Sequence, residues 1–267
     1  MQKRRGTLAL LGLALGVLLS TVAQAIAAGL VGLQVTPGRL EISEPPGATY
    51  NIPLSVRNSS FQPVHVQASM TDFTVGMSGA YEFQRVGTRK NSLLKWAAIR
   101  PREFDLPAGM TQQVQLTVQL PQSASLSGEY SGIVFFQTRP QRRRGLSVAF
   151  SLRVASKIYE TIPGTIKIDG AVTKMAAASS SRGETYRVLF HDTGNAHEYI
   201  HGQLVVQKAG AVVDQIPLAN GELVERDGSR LLEVTGKHLE PGSYQAIATI
   251  DYGGKTETGG EIAFDVR

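Results

Sequence analysis

The chain contains no cysteine, only one tryptophan, and no long apolar run after its first 25 residues. Without cysteine it can form neither a disulfide nor a thiolate metal site, and it has no cysteine nucleophile. It also lacks the Gly-x-Ser-x-Gly motif of one large hydrolase fold. Stability must come from burial of apolar side chains, which domains of about 100–130 residues can supply. We expect no enzymatic activity and no cofactor.

The first 25 residues have the three parts of a secretory signal peptide. Three basic residues at positions 3–5 precede an apolar run over 8–19, and Ala23-Gln24-Ala25 follows as a cleavage site. The apolar run is short for a membrane span, which needs about 20 residues. We expect cleavage after Ala25, with Ala28 as the alternative site, and export to the periplasm without stable membrane insertion. A retained N-terminal anchor is the alternative.

Charge is nearly balanced after the signal peptide and is uneven along the chain. The mature part has 24 basic and 22 acidic residues, so a nucleic-acid partner is not indicated. Residues 29–163 carry 14 basic and 8 acidic residues, whereas residues 164–267 carry 10 and 14. This asymmetry predicts two domains, over 29–162 and 165–267, joined by a linker near 162–165.

Apolar and polar residues alternate through most of the chain, in short segments separated by Gly, Pro, Asn and Ser. Because side chains of a strand point to alternate faces, this pattern indicates strands with one buried face. Turns about every 8–12 residues are typical of antiparallel sandwiches, so we predict an all-β fold of two immunoglobulin-like domains. The Ala- and Ser-rich stretch Met175–Gly183 is expected to be an exposed loop.

Three histidines, His191, His197 and His201, are the best candidates for a metal site, because imidazole is a common ligand. Residues 192–195 have the composition of a turn between strands. On strands, His197 and His201 would lie about 13 Å apart. We therefore expect surface histidines and no metal site.

The most regular strand pattern is a ladder of five large apolar residues at every second position. All five are expected on one face, and we expect two cations, Arg153 and Lys157, to share it near its far end. Such a ladder can be one wall of a sandwich core or a strand edge ready for a partner, and the pattern leaves both open. The ladder consists of Leu146, Val148, Phe150, Leu152 and Val154.

A series of short segments, in characteristic order and spacing, extends over most of the mature chain. The segments are Gly38–Ile42, Leu54–Asn58, Trp96–Pro101, Phe104–Gly109, Val114–Leu120, Tyr130 with Ile133–Phe136, and Ile250–Gly254. Together they resemble the PapD-like periplasmic pilus chaperones. That resemblance implies two immunoglobulin-like sandwiches in a boomerang arrangement.

The resemblance also implies a role for the ladder. In this family the ladder is lent to a pilus subunit that lacks a strand, and an arginine and a lysine bind the subunit's C-terminal carboxylate. Arg39 matches the arginine. Lys157 matches the lysine, with Arg153 as its substitute because the chain is two residues longer here than the family pattern. The implied donor residues are Leu146, Val148, Phe150 and Leu152.

Two features depart from the family pattern. The family has an arginine after the tyrosine that ends this strand, and it bridges to an aspartate of the second domain, matched here by Asp251. In this chain Tyr159 is followed by Glu160, so that bridge cannot form. The loop over 138–145 is also short, which favours the short-loop branch or a divergent one.

The resemblance implies a periplasmic, ATP-independent chaperone that caps pilus or fimbrial-type subunits. An outer-membrane usher is the second implied partner, and self-association through the exposed strand edge is a further expectation. The alternative is a structural or adhesive immunoglobulin-like protein, secreted or at the surface, whose ladder is only core.

Overall fold

The computed structural model describes residues 32–142 and 149–267, so the signal peptide, Leu146 and Val148 lie outside the described residues. The described chain consists of strands, turns and one short 3-10 helix at Leu94–Trp96. In these two ranges no helix is long and apolar enough to cross a membrane.

Twelve strands lie before residue 162, and we refer to them together as the first sandwich. They are β1 (Leu33–Thr36), β2 (Arg39–Ser43), β3 (Thr49–Asn58), β4 (Val64–Val75), β5 (Tyr81–Gln84), β6 (Ala97–Arg100), β7 (Glu103–Leu106), β8 (Thr111–Gln119), β9 (Glu129–Thr138), β10 (Gln141–Arg142), β11 (Ala149–Phe150) and β12 (Arg153–Thr161).

Seven strands form the second sandwich. They are β13 (Gly170–Ser180), β14 (Gly183–Asp192), β15 (Glu198–Lys208), β16 (Ala211–Val224), β17 (Ser229–Thr235), β18 (Gly242–Asp251) and β19 (Thr258–Val266).

The first sandwich packs a sheet of order β1-β3-β8-β6 against a sheet of order β2-β12-β9-β4-β5, with β7 paired to β4. The alternation predicted for β3 is present, since Ile52, Leu54 and Val56 are buried and their neighbours are not. Strand β2 runs parallel to β12, and all other pairs are antiparallel. This is the strand order of an immunoglobulin sandwich.

The second sandwich packs β13-β14-β17 against β16-β15-β18-β19. Each sandwich has its own hydrophobic core, drawn from residues 33–162 in the first and mainly from 186–266 in the second. The predicted all-β fold with two immunoglobulin-like sandwiches is confirmed.

The expected loop over Met175–Gly183 is wrong. Most of this stretch belongs to β13, which pairs with β14 up to the partners Ser180 and Gly183. Met175 and Ala177 pack against the second core. Small residues have weak strand propensity by themselves, but pairing and packing against β14 and β19 decide the conformation here.

Candidate functional site

The two faces of β12 have different roles. Its even-numbered side chains turn inward: Ile158 is fully buried in the first core, and Val154, like Leu152 just before the strand, packs against that core. Its odd-numbered side chains turn to the opposite side of the sheet, where Tyr159 and Ala155 join a separate cluster. Leu152 and Val154 of the ladder therefore lie on one face of the sheet, and the odd-numbered positions of Arg153 and Lys157 lie on the other.

The expectation that Arg153 and Lys157 share the apolar face of the ladder is therefore wrong. Both have odd numbers, and β12 pairs with β9 without a register shift from Arg153 to Thr161. In the absence of a bulge, the period of two places them together with Tyr159 on the outer face.

Arg39 and Lys157 are neighbours across two parallel strands. They are direct partners in the register of β2 and β12, and the Lys157 backbone N–H donates to the Gly38 carbonyl at 3.0 Å. Adjacent strands lie about 4.8 Å apart and partner side chains emerge on the same face. The two predicted anchor cations are thus brought together at the beginning of β2.

Arg39 is held largely by the second sandwich. Its Nη2 atom donates to Nε2 of His197 at 3.1 Å, and its guanidinium lies 4.4 Å from the centre of the Tyr199 ring. The Tyr159 ring is 5.5 Å away. Nη2 also bonds the carboxylate of Glu41, which is half exposed. Arg39 therefore lies between the sandwiches with a third of its side chain in solvent.

Lys157 points towards a row of rings that we call the aromatic face. Its Nζ atom donates to the Tyr81 hydroxyl at 2.9 Å and lies 5.3 Å from that ring's centre. Successive rings of the row are 5.1–6.3 Å apart. Tyr81 and Phe83 are 39% and 46% exposed. The aromatic face consists of Tyr159, Phe73, Tyr81, Phe83 and Phe135.

Arg153 lies at the other end of the aromatic face. Its guanidinium is 4.3 Å from the centre of the Phe135 ring and 5.6 Å from that of Phe83. Arg153 lies four positions before Lys157 along the strand, a distance of about 13 Å. Its partner in the sheet is Gln137, not a residue of β2, so Arg153 does not stand beside Arg39.

The outer edge of β12 is paired with another strand only from Lys157 onwards. From Lys157 to Thr161 the edge is paired with β2. Before that point, in the part of the chain that the structure describes, no strand pairs with the outer edge at residues 153–156. An unpaired edge presents backbone N–H and C=O groups to a further strand.

Only part of the predicted donor set lies within the described residues. Phe150 is 52% exposed and belongs to the two-residue strand β11, which pairs with β10. Leu152 is half-buried against the first core, and its backbone N–H donates to Oγ1 of Thr138 at 3.0 Å. The ladder thus passes from core to exposed surface between residues 154 and 150. Leu146 and Val148 lie outside the described residues.

Glu160 points into the first sandwich and not towards the second. It is fully buried, accepts the Glu44 N–H at 2.7 Å, and accepts a hydrogen bond from the Tyr50 hydroxyl. Burial raises the pKa of Glu160, and the Tyr50 hydrogen bond partly opposes this. Asp251 accepts the N–H of Gly253 in its own turn. Neither residue contributes to the junction through these contacts.

Tyr159 and Glu225 contribute to the junction instead. The Tyr159 hydroxyl donates to Oε1 of Glu225 at 2.9 Å, and both residues are buried. Burial raises the pKa of Tyr159, and the nearby Glu225 carboxyl raises it further by a smaller amount. Burial also raises the pKa of Glu225. The sequence pattern singled out neither as a bridge.

The expectation of surface histidines is wrong for His197, whose side chain is largely buried. Its side chain is 9% exposed, and its Nδ1 atom bonds the carboxylate of Glu129, which is 1% exposed. Because Nε2 faces a donor from Arg39, the hydrogen-bond network assigns the proton to Nδ1. Within the described ranges no group of three or more side chains is arranged to hold a metal ion.

Comparison with known proteins gives matches in structure only. No family model and no curated protein matches the sequence. The class 5 fimbriae chaperone CfaA is 11% identical, with 87% of this chain and 98% of that chain covered and a TM-score of 0.48.

Two further similar structures are complexes. The SafB chaperone in complex with the SafA pilin of Salmonella enterica is 16% identical, with 89% of this chain and 97% of that chain covered and a TM-score of 0.44. The CsuC–CsuE chaperone–tip adhesion subunit complex from archaic Csu pili of Acinetobacter baumannii gives 10% identity, with 86% of this chain and 98% of that chain covered and a TM-score of 0.46. The chain is similar in structure to fimbrial chaperones, the family that its sequence resembles.

Proposed function

We propose that this protein is a periplasmic chaperone for subunits of a pilus or fimbria, which it caps without ATP. The client subunit pairs with the edge strand formed by β11 and β12. Its C-terminal carboxylate is bound by Arg39 and Lys157. An outer-membrane usher is the proposed second partner.

The observation that carries this proposal is the position of the two cations at the end of an unpaired strand edge. Strand β2 occupies the edge of β12 from Lys157 onwards. A strand added before that point must therefore stop beside Arg39 and Lys157. For its carboxylate to reach them, the added strand must end there, which means that it runs parallel to β12.

The electrostatics of the two cations suit a carboxylate. Among the described residues Lys157 has no acidic partner, and Arg39 shares its guanidinium with the half-exposed Glu41. Hydrogen bonds between charged groups are worth about 1.5–3 kcal/mol when shielded from water and less when exposed. A bound client would shield both cations, so the anchor gains strength as the strand docks.

The exposed end of the ladder suits the apolar part of a client. Phe150 is large, apolar and half exposed in a chain whose other ladder residues at 152 and 154 are packed inward. Strand addition combines backbone hydrogen bonds with pockets for alternate side chains. Two of the similar structures contain a chaperone with a pilin and with a tip adhesion subunit, the class of partner proposed here.

A synthetic strand tests the anchor directly. A twelve-residue peptide of alternating Val and Thr with a fluorophore at its N terminus is prepared with a free and with an amidated C terminus. We expect the wild-type protein to bind the free acid at least tenfold more tightly than the amide. Lys157→Ala should reduce this difference and Arg39→Ala with Lys157→Ala should remove it, while Lys174→Ala, at an exposed position of β13, should keep it.

Equal affinity of the wild-type protein for the two peptides would contradict the carboxylate anchor. Absence of binding to either peptide would contradict strand addition itself, and would favour the adhesive or structural alternative.

A further inference from the structure

The part of the chain that lies between the buried residues Glu129 of β9 and Glu160 of β12 is unusual in charge. Residues 130–159 contain six basic residues and no acidic residue. The basic residues include Arg153 and Lys157 on the aromatic face. Such a one-sided charge raises the local concentration of an anionic partner and disfavours a cationic one.

Arg153 is the member of this set whose surroundings are best defined. Its guanidinium lies over Phe135 at 4.3 Å and near Phe83 at 5.6 Å, and these two rings meet edge to face at 5.1 Å. Within the described residues Arg153 forms no ion pair, and residues 143–148 contain no acid. Stacking holds the flat side of the guanidinium, while the N–H groups along its rim remain available.

The position of Arg153 relates it to the proposed anchor. It lies on the same face as Lys157, about 13 Å back along β12. A client strand parallel to β12, with its carboxylate at Lys157, passes Arg153 two to five residues before its C terminus. Partner side chains of adjacent strands emerge on the same face, so one client side chain would point at Arg153.

We propose that Arg153, Phe83 and Phe135 form a second subsite that binds an acidic side chain of the client, two to five residues before the client's C terminus. This inference rests on the proposed function. A carboxylate can meet the guanidinium through two parallel N–H···O bonds, which a neutral amide cannot match in charge. Arg153 is therefore a specificity-determining residue and not a substitute for Lys157.

A scan of the synthetic strand tests the subsite. Glu and Gln are placed in turn at each of the four positions two to five residues before the free C terminus, and affinity is measured by fluorescence anisotropy. At one position, or at two positions of the same parity, Glu should bind about three- to tenfold more tightly than Gln. Arg153→Gln should bring this ratio to one.

Two control variants sharpen the test. Arg182→Gln, at an exposed turn of the second sandwich, should keep the Glu preference. Arg153→Lys keeps the charge but loses the planar fork, so it should retain only part of the preference. Arg153 is exposed, and an unchanged unfolding temperature of Arg153→Gln would show that the fold is intact.

The outcomes separate the two proposals. A Glu/Gln ratio of one at all four positions, or a ratio that survives Arg153→Gln, overturns the subsite even when the free acid is still preferred to the amide. If the wild-type protein does not prefer the free acid to the amide, the proposed function is overturned. The subsite, which rests on the proposed function, is then overturned as well.

Discussion

Replacing Tyr159 with Phe removes one hydroxyl from the junction between the sandwiches and leaves the ring in place. The hydroxyl donates to Glu225 at 2.9 Å, and the second carboxyl oxygen of Glu225 has no partner among the described residues. The substitution therefore leaves a buried carboxyl without a hydrogen bond from a side chain. A buried polar group that loses its partner costs about 1–3 kcal/mol. We expect Tyr159→Phe to lower the free energy of unfolding by that amount in urea, followed by circular dichroism.

Tyr186 provides a matched control in the second sandwich. It is as deeply buried as Tyr159, but its hydroxyl has no partner among the described residues. Tyr186→Phe removes an unsatisfied polar group, so it should be neutral or stabilising. A cost of Tyr159→Phe below about 0.5 kcal/mol, the size of an ordinary surface change, would contradict a stabilising hydrogen bond to Glu225. Equal losses in the two variants would refute it as well.

Three further predictions concern other buried ionisable groups. Glu160→Arg, which introduces the residue of the family pattern, should lower the unfolding temperature strongly, because it places an unpaired charge in the first core; an unchanged temperature would contradict the inward position of Glu160. His197→Ala should cost about 1–3 kcal/mol in urea unfolding, because it removes the imidazole partner of the buried Glu129, and a neutral result would contradict the contact. Burial raises the pKa of Asp192 to about 7 and, with a smaller effect from the Asp192 charge, that of Glu198 to about 8. Since unfolded carboxyls titrate near 4, the folded state holds these protons over a pH range in which the unfolded state has lost them. The resulting stability is complete below about pH 4 and is lost as the pH rises to the raised pKa values. The unfolding temperature should fall between about pH 4 and pH 8, and Asp192→Asn should flatten the fall; an equal fall in the variant would assign it to other groups.

Strands are the part of this fold that the sequence predicts well. In β3 and β8 the alternation of apolar and polar residues follows directly from burial of one face, and burial in the structure repeats it. The pattern fails for β13 because alanine and serine carry little information about burial. There the conformation depends on a partner strand that is distant in the sequence.

The candidate site was predicted only in its central pair. Arg39 and Lys157 were identified from the resemblance, and the register of two strands then placed them side by side. The prediction that Arg153 and Lys157 share the apolar face of the ladder was wrong, because both have odd numbers and the ladder residues have even numbers. His197 and Tyr81 were missed as neighbours because they come from other strands or from the second sandwich, and no local signal marks such contacts.

Hydrogen exchange at the outer edge of β12 tests strand addition most directly. Exchange of individual backbone amides is measured by NMR with and without the twelve-residue free-acid peptide. Strand addition predicts slower exchange of outward-facing amides within residues 153–156 when the peptide is bound, and no change in β19, an edge strand of the second sandwich. Unchanged exchange at residues 153–156 in the presence of bound peptide would contradict it.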